Sequence, residues 1–137
     1  MDANEKLAIH ELLNRAAYGY DSRNIEMLSE CFAEEAEMTM RIAGGDLVGP
    51  FKGNKEIMKL MTSSMEQQTD KRLHEISNIF FEKEDGEVAT VLSSLTLIAV
   101  ADGGIKLLTT GIYRDDVIKE DNSWKLKKRH LDLELSY

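Results

Sequence analysis

Disulfides are excluded as a framework, because the 137 residues contain a single cysteine, Cys31. A reducing, cytoplasmic setting is expected for such a chain. Proline is as scarce: the only one, Pro50, stands outside the stretches that read as long helices or strands. Positive charge is in deficit, with 17 Lys and Arg against 25 Asp and Glu and a formal charge of −8. A nucleic-acid backbone or an anionic membrane calls for a concentrated positive field, so neither is the expected partner. A neutral or cationic small molecule fits the balance better. The longest apolar stretch, Val88 to Val100, is broken by Thr90, Ser93, Ser94 and Thr96. It falls short of the roughly 20 apolar residues of a membrane-crossing helix, and no early segment reads as a signal peptide. Three histidines and one cysteine are too scattered to hold a metal, and neither H-E-x-x-H nor C-x-x-C occurs. Neither glycine pair opens a helix after a strand, which removes a phosphate-cradling loop. No metal and no cofactor are expected.

What remains is an ordinary core-forming composition. Hydrophobic residues make up 42% of the chain and charged ones 31%, mixed in sign along it, which suits one folded domain over residues 1–137. Ile9, Leu12, Leu13, Ala16, Ala17 and Tyr20 recur at helical spacing, and Asp2 with Glu5 resembles a capping box. Asn24 is a suitable cap for a second helix carrying Leu28, Cys31 and Phe32. Met38, Met40 and Ile42 alternate with polar residues as in a strand. Gly44-Gly45-Asp46 then turns the chain into a short strand ending at Pro50. Gly53-Asn54 opens a third helix striped with Ile57, Met58, Met61 and Met65.

From Arg72 onward, apolar and β-branched residues alternate in runs of about 12 to 15, far longer than a usual strand. Turn signals at Glu84-Asp85-Gly86, Ala101-Asp102-Gly103-Gly104 and Glu120-Asp121-Asn122 divide them into a four-stranded antiparallel meander. Strands this long bend or carry bulges. Trp124 and Leu126 lie on one parity while Leu131, Leu133 and Leu135 lie on the other, which implies a bulge or a second buried face. Helices first and strands afterwards give an α+β class with helices on one face of a curved sheet. Apolar residues on both parities, Leu95, Leu97 and Ala99 against Leu92, Ile98 and Val100, leave one face uncovered, which predicts a homodimer through the sheet.

Asp21 stands four residues after Ala17 and eight after Leu13, so one more turn of the first helix carries its carboxylate into the buried stripe, where it needs a partner. As a turn or cap residue between the helices it needs none. His74 shares strand parity with Arg72, Ile76, Asn78 and Phe80, a mixture suited either to a pocket wall or to a satisfied structural histidine. His10 borders the first helical stripe and His130 lies between Arg129 and Leu131. Cys31 reads as a small buried hydrophobe. Lys125, Lys127, Lys128 and Arg129 read as a solvated surface. The methionines suit either an adaptable apolar pocket or plain core filling.

Tyr20-Asp21-Ser22-Arg23-Asn24, Cys31-Phe32-Ala33-Glu34-Glu35-Ala36, His74-Glu75-Ile76-Ser77-Asn78, Gly111-Ile112-Tyr113-Arg114-Asp115 and the closing Trp124-Lys125-Leu126 with Arg129 occur in an order that resembles the SnoaL-like branch of the nuclear-transport-factor-two-like superfamily. The resemblance implies a cone: a strongly curved antiparallel sheet wrapped against three helices around an apolar pocket. It also implies a pairing of Asp21 with His74, as in relatives of the scytalone dehydratase and hexachlorocyclohexane dehydrochlorinase types, where the histidine acts as base and the aspartate orients it. Leu73 separates Arg72 from His74, whereas many relatives have Arg directly before the histidine. Met38, Thr39 and Met40 occupy the strand where the dehydratase has a tyrosine, so scytalone itself is not the expected substrate. The expectation is a cofactor-free lyase, by dehydration or another elimination, or an isomerase acting on a small apolar, cyclic molecule. Asp21 and His74 would be catalytic, and Tyr20, Asn78, Arg129 and Met61 would bind substrate. The alternative is a ligand-binding or association domain of the same fold without chemistry.

Overall fold

The Asp2 side chain accepts the Glu5 backbone N–H at 2.9 Å and starts helix α1, Ala3–Asp21. A computed structural model describes residues 1–137. Ile9, Leu12, Leu13, Ala16 and Tyr20 are buried along one side of α1, as their spacing requires. The chain reverses through Arg23, at a φ of 55°, into α2, Ile25–Glu30, capped by the Asn24 side chain on the Met27 N–H. The two helices meet at Gly19, where a Cβ would lie 3.0 Å from the Leu28 nitrogen. A side chain there would press on the Leu28 backbone and force the helices slightly apart.

The second helix is shorter than its apolar spacing predicts. It ends at Glu30, Cys31 caps it, and strand β1 starts at Phe32 and runs to Ile42. Leu28, Cys31 and Phe32 fit a helix by periodicity alone, but the Cys31 carbonyl accepts the Leu126 N–H and Phe32 pairs with Leu126. Long-range sheet pairing overrides local spacing here. Strand β2, Val48–Lys52, and helix α3, Asn54–Gln67, follow. The Asn54 amide donates to the carbonyls of Ser29 and Phe32, tying the start of α3 to the junction of α2 and β1.

Strands β3, Lys71–Asp85, β4, Val88–Ala101, β5, Gly104–Glu120, and β6, Ser123–Leu133, form the long antiparallel meander. The complete sheet is mixed and unclosed, in the order β2-β1-β6-β5-β4-β3, with β1 parallel to β6. Its inner face meets α1 and α3, and alternate residues of β4, from Ala89 through Val91, Ser93, Leu95 and Leu97 to Ala99, are buried. The architecture is thus α+β, three helices against one curved six-stranded sheet. No helix is long and apolar enough to cross a membrane.

Two bulges set which side chains face inward. In β6, Asp116 pairs with Lys128 and Val117 with Leu126, leaving Lys127 as the extra residue. Trp124 and Leu126 before it, and Arg129, Leu131 and Leu133 after it, are therefore all buried. In β3 the pairing slips between Ser77 and Phe80, and Asn78 sits in the left-handed region at a φ of 51°. Ile79 and Phe81 then pack on the core, while Phe80 is 55% exposed. The shared parity of His74, Asn78 and Phe80 expected from the sequence stops at this bulge.

Candidate active site

Asp21 is the last residue of α1, and its carboxylate holds His74 by two atoms. Oδ1 lies 2.6 Å from Nδ1 of the imidazole, and Oδ2 accepts the His74 backbone N–H at 2.7 Å. An ionised carboxylate only accepts, so Nδ1 carries the proton in the neutral ring and Nε2 keeps its lone pair. Both side chains are largely withdrawn from water, at 12% and 16% exposure. The edge of Tyr20 stands against the imidazole with ring centroids 4.9 Å apart, and the Tyr20 hydroxyl donates to Oε1 of Gln68 at 3.2 Å. Burial raises the Tyr20 pKa and keeps the phenol protonated. Asn24, not Asp21, caps α2. The carboxylate is thus committed to the histidine and not to the turn.

His74 faces a cavity of about 70 Å³ between the helices and the inner sheet face. Its walls are mostly apolar: Ala16 and Ala17 from α1, Leu60 and Met61 from α3, Met38 and Met40 from β1. The polar groups are few, namely Tyr20, Gln68, Arg72, His74, Tyr113, Arg129 and Tyr137. A dry wall with a small number of convergent polar groups is the usual form of a small-molecule site.

Arg129 reaches this wall as one half of a buried pair. Its Nε and one terminal nitrogen donate to the two carboxylate oxygens of Asp115 at 2.8 and 3.1 Å, with exposures of 7% and 0%. Its guanidinium carbon lies 3.9 Å from the centroid of Tyr113. Burial pulls the Arg129 pKa down, but the Asp115 charge and hydrogen bonds outweigh it and hold the guanidinium charged. Burial also pushes the Asp115 carboxyl above its usual value, against the pull of Arg129. The two-point geometry favours the ionised pair at neutral pH.

Burial drives the Tyr113 pKa up to about 12, with Arg129 opposing it. A raised acid pKa means that the stability of the neutral form is present below the unfolded value, near 10, and is lost as pH rises through about 12. The wild type is expected to lose on the order of 2–3 kcal/mol across that window that Tyr113→Phe does not lose. Urea titrations of both proteins at pH about 9 and about 11.5 measure it; equal losses would show that the phenol is not desolvated.

Of the residues singled out from the sequence, Tyr20, His74, Met61 and Arg129 line the cavity and Asp21 stands behind His74. Asn78 does not join them. It is exposed on its bulge and outside the cavity lining, because the left-handed kink rotates the strand at that point. Arg129 belongs to the wall and not to a solvated surface, since the β6 bulge turns it inward. Arg72, Tyr113 and Asp115 are site residues beyond that set. Arg72 and His74 share parity, and Asp115 shares parity with Tyr113 and Val117, so a charge on an inward strand face was the available signal. No cluster of three His, Cys, Asp or Glu side chains comes together to hold a metal. Cys31 is buried, and burial raises its thiol pKa, away from nucleophilic thiolate.

Comparison with known proteins agrees with this architecture. A family model described as a SnoaL-like domain matches residues 1–130. A candidate scytalone dehydratase from Novosphingobium aromaticivorans is 25% identical, with a TM-score of 0.76 over 94% of this chain and 83% of the other. A Nostoc punctiforme protein of unknown function with a cystatin-like fold is 21% identical, with a TM-score of 0.82 over 97% and 93%. The beta subunit of a candidate aromatic-ring-hydroxylating dioxygenase from N. aromaticivorans is 12% identical, with a TM-score of 0.80 over 95% and 89%. The last two share the fold. No curated protein matches the sequence.

Proposed function

The chain belongs to the SnoaL-like family, and from that premise we propose that it is a cofactor-free lyase or isomerase for a small, largely apolar, cyclic molecule. The observation that carries this reading is the double grip of Asp21 on His74, which leaves Nε2 as the free base facing a mostly apolar cavity. His74 takes a proton from carbon, and Asp21 fixes the tautomer and stabilises the imidazolium that forms. The electron pair of the broken C–H bond becomes a new double bond. If hydroxide or halide leaves the adjacent carbon, the result is elimination; in dehydration the imidazolium proton leaves with the hydroxide as water. If another carbon is reprotonated, the result is isomerisation. The scytalone dehydratase similarity supports the first outcome.

The test is a panel of small cyclic alcohols, halides and enones incubated in deuterated buffer and followed by NMR. Elimination or deuterium incorporation that disappears in His74→Gln supports the reading. Turnover that survives the substitution overturns it.

We further read the protein as a homodimer in a reducing cytoplasm, joined through the outer sheet face, where Ile105, Leu107 and Ile112 are 76%, 67% and 43% exposed. A dimer mass in light scattering at micromolar concentration is the expected result, and a monomer would refute it. An association domain without chemistry has less support, because that role places no demand on a histidine gripped at both Nδ1 and its backbone N–H.

A further inference from the structure

One cationic donor in the cavity wall is left unused by the fold. Nη1 of Arg72 is shielded from solvent and has no hydrogen-bond partner. The rest of the side chain is held: Nε donates to Oδ1 of Asp70 at 2.6 Å, and the guanidinium carbon lies 5.7 Å from the centroid of the Tyr137 ring. The side chain is 13% exposed. An unmet N–H of a charged group is expensive away from water, and native proteins leave few of them. The other buried donor without a partner, the Ser93 hydroxyl, is not part of the cavity lining.

Arg72 stands two residues before His74 on β3, so both project to the same face, roughly 7 Å apart along the strand. Pairing of Arg72 with Ala99 and of His74 with Leu97 keeps that spacing rigid, and both residues line the one cavity. A base and an unpartnered cationic donor therefore address the same bound molecule. Full negative charge on that molecule is disfavoured, because Asp70 and Asp115 already pair with the two guanidinium groups, Arg72 and Arg129, and Asp21 adds a third carboxylate behind His74. A neutral acceptor oxygen that becomes charged only during reaction suits the site.

We propose that Arg72 binds the oxygen of a neutral cyclic carbonyl compound whose acidic carbon, adjacent to the C=O, is presented to His74. Oxygen binding by Arg72 stands on the geometry just given; the chemistry rests on the dyad reading above. Nε2 of His74 takes the α-proton, the C–H electron pair forms the C=C bond, and the carbonyl pair moves to oxygen. The enolate oxygen accepts the Nη1 hydrogen of Arg72. The imidazolium then returns its proton to carbon, so that no co-reactant is consumed.

Cyclohexanone and methylenecyclohexane, which differ in C=O against C=CH2, are the probes, with binding measured by NMR titration. The wild type is expected to prefer the ketone by about tenfold or more, the worth of one charge-assisted hydrogen bond. Arg72→Met and Arg72→Leu, each checked for native circular dichroism, should bring the two affinities to within about twofold. His74→Gln should keep the preference and lose deuterium exchange at the ring α-carbons. Equal binding of both probes to the wild type, a preference that survives in both Arg72 variants, or no binding of either probe overturns the proposal. A ketone preference that depends on Arg72 without any exchange in the wild type supports the oxygen site and removes the proton-abstraction reading.

Discussion

Arg129→Met is expected to destabilise the protein by about 3–5 kcal/mol, because it strips the paired cation from a carboxylate that has no exposure to water. The Met side chain replaces most of the apolar stem, so the cost comes from the stranded charge and not from a void. With the guanidinium gone, burial, joined by the nearby Asp116 charge, acts on Asp115 unopposed and raises its folded pKa further above the unfolded value. For an acid shifted in that direction, the neutral form is the one the fold prefers. The penalty is then largest above the folded pKa and shrinks as pH falls toward the unfolded value, so Arg129→Met should recover more stability on mild acidification than the wild type, in which Arg129 opposes the rise. Replacing both partners, Arg129→Met with Asp115→Leu, should restore most of the loss, since a buried ion pair and a packed apolar pair are close in free energy. Urea midpoints at neutral and mildly acidic pH measure all three proteins. A single-variant cost below about 1 kcal/mol would mean that water reaches the pair.

His74→Gln and Asp21→Asn should each reduce turnover by about 100- to 10,000-fold, the contribution of a positioned general base. The two losses arise differently. Gln has no group able to take the proton. Asn at position 21 keeps the size of Asp and can still accept one hydrogen bond, but it cannot accept from both Nδ1–H and the His74 backbone N–H through two charged oxygens, as Asp21 does. The imidazole is then free to carry its proton on Nε2, which removes the lone pair from the cavity side. Nitrogen-15 NMR of labelled histidine reads this directly. The neutral wild-type ring should be the Nδ1–H form, and the variant should shift toward the Nε2–H form, with His10 and His130 unmoved. An unchanged His74 tautomer in folded Asp21→Asn would show that the carboxylate does not govern the ring.

The sequence by itself determined the α+β class, the three helices and the four-stranded meander; for the phase flip in β6 it left a bulge and a second buried face as alternatives. All of these follow from local periodicity, caps and turn residues, which act within a few residues of one another. Phase on α1 and parity on β3 made Asp21 and His74 candidates but fitted turn and structural roles as well; their pairing came from the family resemblance. Tertiary structure alone decided the rest. Phe32 enters a strand and not a helix because its partner Leu126 lies 94 residues away. Asn78 leaves the pocket because it is itself the left-handed residue of a bulge, where the pairing of β3 with β4 slips between Ser77 and Phe80. Arg129, part of a basic run in the sequence, turns inward because the Lys127 bulge changes its parity and the fully buried Asp115 waits on the neighbouring strand. Burial, and with it the sign and size of every charge effect in the cavity, is a property of which strands are neighbours. Neighbours are set by the closing of the whole sheet, which no local window of the chain contains.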